Sequence, residues 1–308
     1  MLHEIAPHVF DVGMAFVRPR EDDYALAFRE DEAGRCLVMA SVEEDGSITL
    51  PTCSDFFRLG ELDESQHSDR EGGDGHSALG EPAPLQYLFA IDKQAYFLAS
   101  PHEGSMAEGV GPDTRDMSSL PVRSLIARNG DPQAFAIATG MHLRSWYRDN
   151  QRCGRCGNRM EPSSQERALV CSSCRHTVYP RISPAVIVAV SDGDRLLLTR
   201  YAQGEYRKRA LVAGFVEVGE TPEEAVAREV WEECGVWVKN VRYFGSQPWG
   251  LSGSLMLGFF ADLDGSPEIT LQDGELGWAG WIPRDELDDD DDYALGRVMV
   301  NEFRSNRA

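Results

Sequence analysis

The stretch from Gly214 to Val236 constrains the fold of this chain most, because it specifies both ends of a helix. Thr221 is a good N-cap, Pro222 fits the first turn, and Glu224 stands where a capping box needs a carboxylate. Gly235 supplies a typical C-terminal stop. The sequence therefore predicts a helix between Thr221 and Gly235.

Three glutamates lie on one side of this predicted helix. Glu229, Glu232 and Glu233 cover an arc of roughly 100°, since a helix has about 3.6 residues per turn. A separate arc holds Val226, Ala227, Val230, Trp231 and Cys234. Carboxylates at this spacing repel one another unless a positive charge lies among them. A bound Mg²⁺ or Mn²⁺ ion would supply that charge. Such an ion can activate water and bridge phosphate oxygens. The alternative is a solvated acidic face.

Four cysteines form two close pairs, Cys153-x2-Cys156 and Cys171-x2-Cys174. Two such pairs can close a tetrahedron of thiolates around Zn²⁺, which leaves no open coordination position. The zinc would therefore organise the fold and would not activate water. Unmetallated thiols or a redox pair are the alternatives, and a zinc ribbon could also bind nucleic acid.

Length and charge limit the class of protein. A chain of 308 residues is long enough for two or three domains. The net charge of -21 opposes a broad surface for nucleic acid, since such surfaces are rich in Lys and Arg. The sequence has no apolar run of the length of a membrane span and no basic, apolar leader at Met1 to Phe10, so we expect a cytoplasmic protein.

The pattern along the chain predicts four regions. Residues 1–130 alternate short apolar runs with acidic or glycine-rich segments and are expected to form an N-terminal sheet-containing α/β domain. Within them, Glu61–Glu81 is predicted to be a mobile loop. Residues 131–150 form a linking helix that starts at Asp131-Pro132, residues 151–180 the zinc ribbon, and residues 181–308 the domain with the glutamates. A last helix is predicted at Tyr293–Arg304, after the acidic run Asp288–Asp292.

The stretch Gly214–Val236 also fits Gly-x5-Glu-x7-Arg-Glu-U-x-Glu-Glu-x-Gly-U at every fixed position, where U is aliphatic. It resembles the Nudix hydrolase superfamily. The resemblance implies a loop-helix-loop on an α/β/α sandwich, with Glu229 and Glu233 as the principal metal ligands. It makes Glu232 a further ligand or the base, and it makes Glu220 with Arg228 a supporting pair. Glu220 is therefore counted with the catalytic glutamates.

Three features are similar to one branch of that superfamily, the NADH pyrophosphatases of the NudC type. A zinc ribbon directly precedes the domain, an N-terminal domain precedes the ribbon, and Ser246-Gln247-Pro248-Trp249 follows the box. The branch continues with Pro-Phe-Pro, where this chain has Gly250-Leu251-Ser252. A stiff aromatic wall is thus replaced by a flexible segment, which leaves the preference for a dinucleotide open. The predicted substrate-binding residues are Tyr179, Phe215, Gln247, Pro248, Trp249 and Ser254.

The resemblance also supplies metal ligands from outside the box, namely Glu275 and the carbonyl of Ala213. The aromatic residues of the predicted site could stack on a base or a nicotinamide ring, or could pack in the core. The basic loop Arg200–Arg209 could attract a phosphate or be a solvated turn.

Together these features predict an enzyme, an Mg²⁺- or Mn²⁺-dependent NAD(H) diphosphatase that yields NMN(H) and AMP, with a structural Zn²⁺. Removal of NAD caps from the 5′ end of RNA is a related activity that the resemblance suggests, as is a homodimer. Two alternatives stay open. One is a Nudix hydrolase for ADP-ribose or another dinucleotide, and the other is a non-catalytic nucleotide-sensing module.

Overall fold

The structure is a computed structural model of the 308-residue chain. It describes all residues except 14–16, 58–84, 100–116, 129, 204–207, 273, 289–292 and 306–308. The chain divides into two compact units. One comprises residues 5–126 and 132–180, and the other comprises residues 1–4, 127–131 and 181–308.

The first unit contains a mixed sheet in the order β1-β5-β6-β2-β3-β4, with β7 paired to β3. Its strands are β1 (Phe10–Asp11), β2 (Tyr24–Glu30), β3 (Cys36–Val42), β4 (Ile48–Thr49), β5 (Leu85–Ile91), β6 (Gln94–Ala99) and β7 (Ser118–Pro121). Its helices are α1 (Ser54–Phe57), α2 (Val122–Ile126) and α3 (Pro132–Asp149). The apolar runs of this region are therefore strands, as predicted.

Helix α3 packs closely against the sheet at Gly140. A Cβ atom at this position would lie 2.3 Å from Cδ1 of Leu26 on β2, so a larger residue would require the Leu26 side chain or the helix to move. The helix begins at Pro132, which confirms the start predicted from Asp131-Pro132.

The zinc ribbon follows α3 as a small antiparallel sheet in the order β10-β9-β8. Its strands are β8 (Met160–Pro162), β9 (Leu169–Cys171) and β10 (Thr177–Val178). Strands this short bury little apolar surface, which is typical of small domains that a bound metal stabilises.

The second unit is built on a sheet in the order β14-β15-β11-β12-β16, with β13 paired to β11. Its strands are β11 (Ser183–Asp192), β12 (Arg195–Tyr201), β13 (Val212–Phe215), β14 (Trp237–Trp249), β15 (Ser254–Asp264) and β16 (Leu276–Pro283). Strands β11 and β15 are parallel. The helices are α4 (Pro222–Cys234) and α5 (Leu295–Arg304), and a 3-10 turn covers Arg284–Glu286.

Each face of this sheet carries its own hydrophobic core. Val226 and Val230 of α4 belong to one core, and Met299 and Phe303 of α5 belong to the other. The sheet therefore lies between two helices, which confirms the predicted α/β/α sandwich. Helix α5 begins at Leu295, two residues later than predicted, so Tyr293 lies in the turn before it.

Trp231 of α4 departs from the simple apolar arc predicted for the helix. Its side chain is 36% exposed and stacks on the indole of Trp237 at the start of β14, with ring centroids 4.2 Å apart. A partner on another element thus holds this residue at the surface.

Within the described part of the chain, no helix combines the length and the apolar character that a membrane crossing requires. The predicted mobile loop Glu61–Glu81 lies outside the described residues, as do residues 289–292 of the acidic run.

Candidate active site

Helix α4 has the ends that the sequence predicts. The Oγ1 of Thr221 accepts a hydrogen bond from the Glu224 N–H, and the Glu224 carboxylate accepts one from the Thr221 N–H at 2.8 Å. Gly235 ends the helix in the left-handed conformation at φ 69°, and its N–H donates to the Trp231 carbonyl. These caps position the glutamates of α4 relative to β13.

The carboxylate of Glu229 lies directly over the backbone of Gly214 on β13. A Cβ atom at Gly214 would come within 2.1 Å of the Glu229 carboxylate carbon, so only glycine leaves room for that group. Ala213 precedes Gly214 on β13 and pairs with Ile187 of β11. The strand and the helix therefore bring the Glu229 carboxylate beside the main chain that contains the Ala213 carbonyl.

Arg228 joins the acidic groups into one network. Its Nε and Nη2 donate to the two Glu220 oxygens at 2.8 and 2.9 Å. Its Nη1 donates to Glu229 at 2.8 Å and to Glu232 at 3.0 Å, while Nη2 also reaches the Phe215 carbonyl at 2.9 Å. The positive charge that the glutamate spacing demands is thus supplied partly by Arg228 itself.

Burial makes the carboxylates of this site electrostatically unequal. Hydrogen bonds from the Arg228 side chain and the Glu217 N–H lower the pKa of Glu220. For Glu229 the loss of solvent dominates and raises the pKa, although Arg228 opposes this shift. Glu233 is only 4% exposed. Both carboxylates have thus lost much of their hydration, and carboxylate oxygens are the kind of hard donor that Mg²⁺ or Mn²⁺ prefers.

Glu232 and Glu275 are more open to solvent. The Glu232 side chain is 52% exposed. Glu275 is exposed immediately before β16, and its carbonyl accepts a hydrogen bond from the Ala202 N–H at 2.9 Å.

Gln247 is placed differently from an open substrate-binding residue. It is 1% exposed, and its Nε2 donates to the Tyr293 carbonyl at 2.8 Å while its Oε1 accepts from the Leu295 N–H at 2.7 Å. Both ends of the amide therefore bind the turn that leads into α5. Ser254 is also buried, and its hydroxyl lies 2.8 Å from that of Ser252.

The other predicted substrate-binding residues of this domain are at least partly accessible. Phe215 is 52% exposed, and Pro248 is exposed. Trp249 lies against Tyr293 with ring centroids 6.3 Å apart and planes 28° apart. The sequence predicted Tyr293 only as the first residue of a helix. Tyr179 lies in the other compact unit, where its hydroxyl donates to Glu166 at 2.9 Å.

Two arginines of the basic loop Arg200–Arg209 contact other residues of the same domain. The Arg200 guanidinium lies over the Trp278 ring at 5.6 Å, and Arg209 pairs with Asp288 at 2.7 Å. Residues 204–207 of this loop lie outside the described part of the chain.

The four cysteines of the ribbon converge, with all Sγ atoms within 4.8 Å of one another. The Cys153 and Cys174 sulfurs are 3.6 Å apart, and those of Cys156 and Cys171 are 3.4 Å apart. These distances are close to the edge of about 3.8 Å expected for a thiolate tetrahedron with Zn–S bonds of about 2.3 Å. Hydrogen bonds from the side chain and backbone of Asn158 lower the pKa of the Cys156 thiol to about 6.

Two domain families match parts of this chain. The NUDIX domain family matches residues 181–303, and the NADH pyrophosphatase zinc ribbon domain family matches residues 148–179. The structural zinc site predicted from the cysteines is thereby confirmed.

Sequence relatives are named "NAD-capped RNA hydrolase NudC". Those of Citrobacter koseri and Salmonella typhi are each 46% identical over 173 residues, which is 56% of this chain. The matched region spans 65% of each relative, slightly less than two thirds of its length. A crystal structure of a NUDIX hydrolase from Nitrosomonas europaea shares 21% identity over 51% of this chain and 92% of its own, with a TM-score of 0.45.

Proposed function

We propose that this chain hydrolyses the pyrophosphate of NAD(H) to NMN(H) and AMP. Two matches support the proposal, the NUDIX domain at residues 181–303 and the NADH pyrophosphatase zinc ribbon domain at residues 148–179. The observation that carries the proposal is the Glu229 carboxylate, held over Gly214 by the Arg228 network. This arrangement gathers acidic oxygens where a metal ion can meet a diphosphate.

Glu229 and Glu233 would hold the Mg²⁺ or Mn²⁺ ions, with Glu275 and the Ala213 carbonyl as further ligands. When bound, the metal supplies an activated water and stabilises charge on the leaving phosphate. Glu220 fixes Arg228, which in turn orients Glu229 and Glu232. We assign the role of general base to Glu232, because it is the more exposed partner of Arg228 and the one that a water molecule can reach.

The base assignment has a direct test. Glu232→Gln removes the proton acceptor with almost no change in volume, so kcat should fall by about 10²- to 10⁴-fold. The Mn²⁺ dissociation constant should change far less than in Glu229→Gln. An equal loss of Mn²⁺ affinity in both variants would make Glu232 a ligand and not the base.

The substrate is best tested with a panel of NADH, NAD⁺, ADP-ribose, FAD and diadenosine polyphosphates in the presence of Mg²⁺. We expect NADH or NAD⁺ to give the highest kcat/KM, with NMN(H) and AMP as the products by chromatography. Hydrolysis of none of these compounds would contradict the enzyme assignment and favour a non-catalytic nucleotide-sensing module.

Removal of NAD caps from RNA is part of the same proposal. The printed name of the relatives supports it, since a capped 5′ end presents the same diphosphate. The net charge of -21 opposes extended contacts with RNA, so a short capped oligonucleotide should react about as well as a long transcript. A strong preference for long transcripts would contradict this view.

ADP-ribose is the second candidate substrate, because Gly250, Leu251 and Ser252 stand where the NADH branch has Pro-Phe-Pro. Restoring Pro-Phe-Pro should lower the KM for NADH and leave ADP-ribose turnover nearly unchanged. If the wild type prefers ADP-ribose and the restored segment changes neither substrate, ADP-ribose becomes the assigned substrate.

A cytoplasmic homodimer is the proposed state of the protein, on the basis of the family resemblance. Light scattering after size-exclusion chromatography checks the oligomeric state, and a monomer at micromolar concentration would contradict it.

A further inference from the structure

We propose that Tyr293 supplies a further aromatic ring of the substrate pocket, beside Trp249, and that Gln247 positions it. This inference deepens the proposed function, since it assigns a residue that binds a planar heterocyclic ring of the dinucleotide. The Nudix box does not include Tyr293, and neither does the segment that follows the box.

The rings of Trp249 and Tyr293 pack against each other. Their planes are 28° apart, and their centroids are 6.3 Å apart, towards the wide end of the range of about 4.5–7 Å for aromatic pairs. Both residues are only partly buried. The part of each ring that stays exposed is an apolar surface on which a base or a nicotinamide ring can stack.

The turn after Trp249 explains why a second ring must come from elsewhere. Trp249 and Ser254 are paired at the ends of β14 and β15, so residues 250–253 form a tight connection between the strands. None of the four is aromatic. Tyr293 comes from the segment before α5 and packs its ring against Trp249.

Gln247 fixes the main chain that carries Tyr293. On a strand, side chains two residues apart point to the same face, so Gln247 and Trp249 share a face while the exposed Pro248 points away. The Gln247 amide binds the carbonyl of Tyr293 and the N–H of Leu295, and the Leu2 N–H donates to the same Tyr293 carbonyl at 2.9 Å. Hydrogen bonds as buried as those of Gln247 are costly to leave unmade.

Tyr293 lies outside α5, in the turn that Gln247 binds. Ala294 caps the helix with extended backbone at φ -107° and ψ 138°, and Tyr293 lies one residue further out. Its side chain therefore follows the turn held by Gln247 and not the helical spiral.

The test measures ligand binding without turnover. The dissociation constants of NAD⁺, NMN and AMP are measured by calorimetry in EDTA for wild type, Tyr293→Leu and Tyr293→Phe. Tyr293→Leu should weaken NAD⁺ and at least one of the two fragments by about 5- to 150-fold, the usual effect of losing one stacked ring. Tyr293→Phe should stay within about twofold of wild type.

Tyr243→Leu is the matched control. Tyr243 is an exposed tyrosine of the same domain, and it lies edge-on against Phe259 with centroids 5.7 Å apart. This variant removes an equal ring from the sheet away from Trp249, so it should leave all three dissociation constants unchanged.

The positioning role of Gln247 is tested by a double-mutant cycle. Gln247→Glu replaces the donor to the Tyr293 carbonyl with an oxygen that repels it, and it should weaken NAD⁺ in the wild-type background. In the Tyr293→Leu background it should have little further effect, because the ring that it orients is gone. Equal effects in both backgrounds would show a general structural role and overturn the assignment.

Failure of this inference differs from failure of the proposed function. If NADH is hydrolysed and Tyr293→Leu binds NAD⁺, NMN and AMP like wild type, Tyr293 is not part of the pocket and the enzyme assignment stands. If NADH is not hydrolysed but AMP binding depends on Tyr293, the ring assignment stands and the substrate is another adenine nucleotide.

Discussion

At the scale of single residues, the sequence motif identifies residues of the site, and the structure shows why they are required. The motif demands glycine at position 214, and the structure gives the reason, since the Glu229 carboxylate occupies the space of a side chain there. The Glu220 and Arg228 pair was expected, but the contacts of Arg228 with Glu229 and Glu232 were not. Spacing along a helix cannot tell which of several acidic side chains an arginine will reach.

Gly214→Ala should disable the site without unfolding the domain. The added Cβ would push the Glu229 carboxylate aside, and a displacement of about 1 Å can cost about 10²-fold in rate. We expect kcat/KM for NADH to fall by at least about that factor, and Mn²⁺ binding by calorimetry to weaken. Gly245→Ala is the control, because a Cβ at this strand glycine meets no atom within 4 Å. Equal activity of the two variants would place the metal elsewhere.

Glu233→Gln should lower turnover by orders of magnitude and keep the fold. The change removes a metal-ligating charge and almost no volume, and a neutral amide is easier to bury than a carboxylate that is 4% exposed. Steady-state kinetics at saturating Mg²⁺ and a thermal melt by circular dichroism check both parts. The exposed Glu223 of the same helix offers a matched control, and Glu223→Gln should behave like wild type.

At the scale of elements, the features that depend on nearby residues were predicted from the sequence. The features that depend on contacts between distant segments were not. The caps of α4, the start of α3 and the first strands follow from residues near each boundary. The start of α5 was predicted two residues early, because the buried amide of Gln247 binds this turn from a strand far away in sequence. The stack of Trp231 on Trp237 was missed for the same reason, since helical periodicity carries no information about another element.

The zinc ribbon should hold about one Zn²⁺ per chain, and its loss should act on stability more than on chemistry. Cys171 is fully buried within the cluster, so Cys171→Ser should release zinc and lower the melting temperature. Metal analysis of reduced, freshly purified protein checks this. Cys36→Ser changes a half-buried cysteine outside the cluster and should keep the metal. Zinc retained in Cys171→Ser would contradict the four-thiolate site.

At the scale of the whole molecule, the negative net charge affects how the substrate and the metal ion approach the protein. The chain carries 51 acidic and 30 basic side chains, for a net charge of -21. An anionic dinucleotide approaches against this field, while Mg²⁺ is drawn towards it. The acidic surface should therefore hinder the encounter with one partner of the reaction and favour the encounter with the other.

Ionic strength should move the two Michaelis constants in opposite directions. Between about 20 and 200 mM KCl, screening weakens the long-range field, so the KM for NADH should fall and the apparent KM for Mg²⁺ should rise. Initial rates in a matrix of NADH, MgCl₂ and KCl concentrations separate the two effects. A KM for NADH that rises with salt would indicate a local basic patch strong enough to overcome the overall charge.

The stacked indoles of Trp231 and Trp237 give the protein an optical property of its own. Two indoles with centroids 4.2 Å apart couple their excited states, and the resulting circular dichroism depends on the angle between the transition dipoles in the two ring planes. Trp231 is the direct neighbour of Glu232 on α4. Any shift of this helix on metal binding would change the coupling, and circular dichroism during a Mg²⁺ titration would detect that shift without a label.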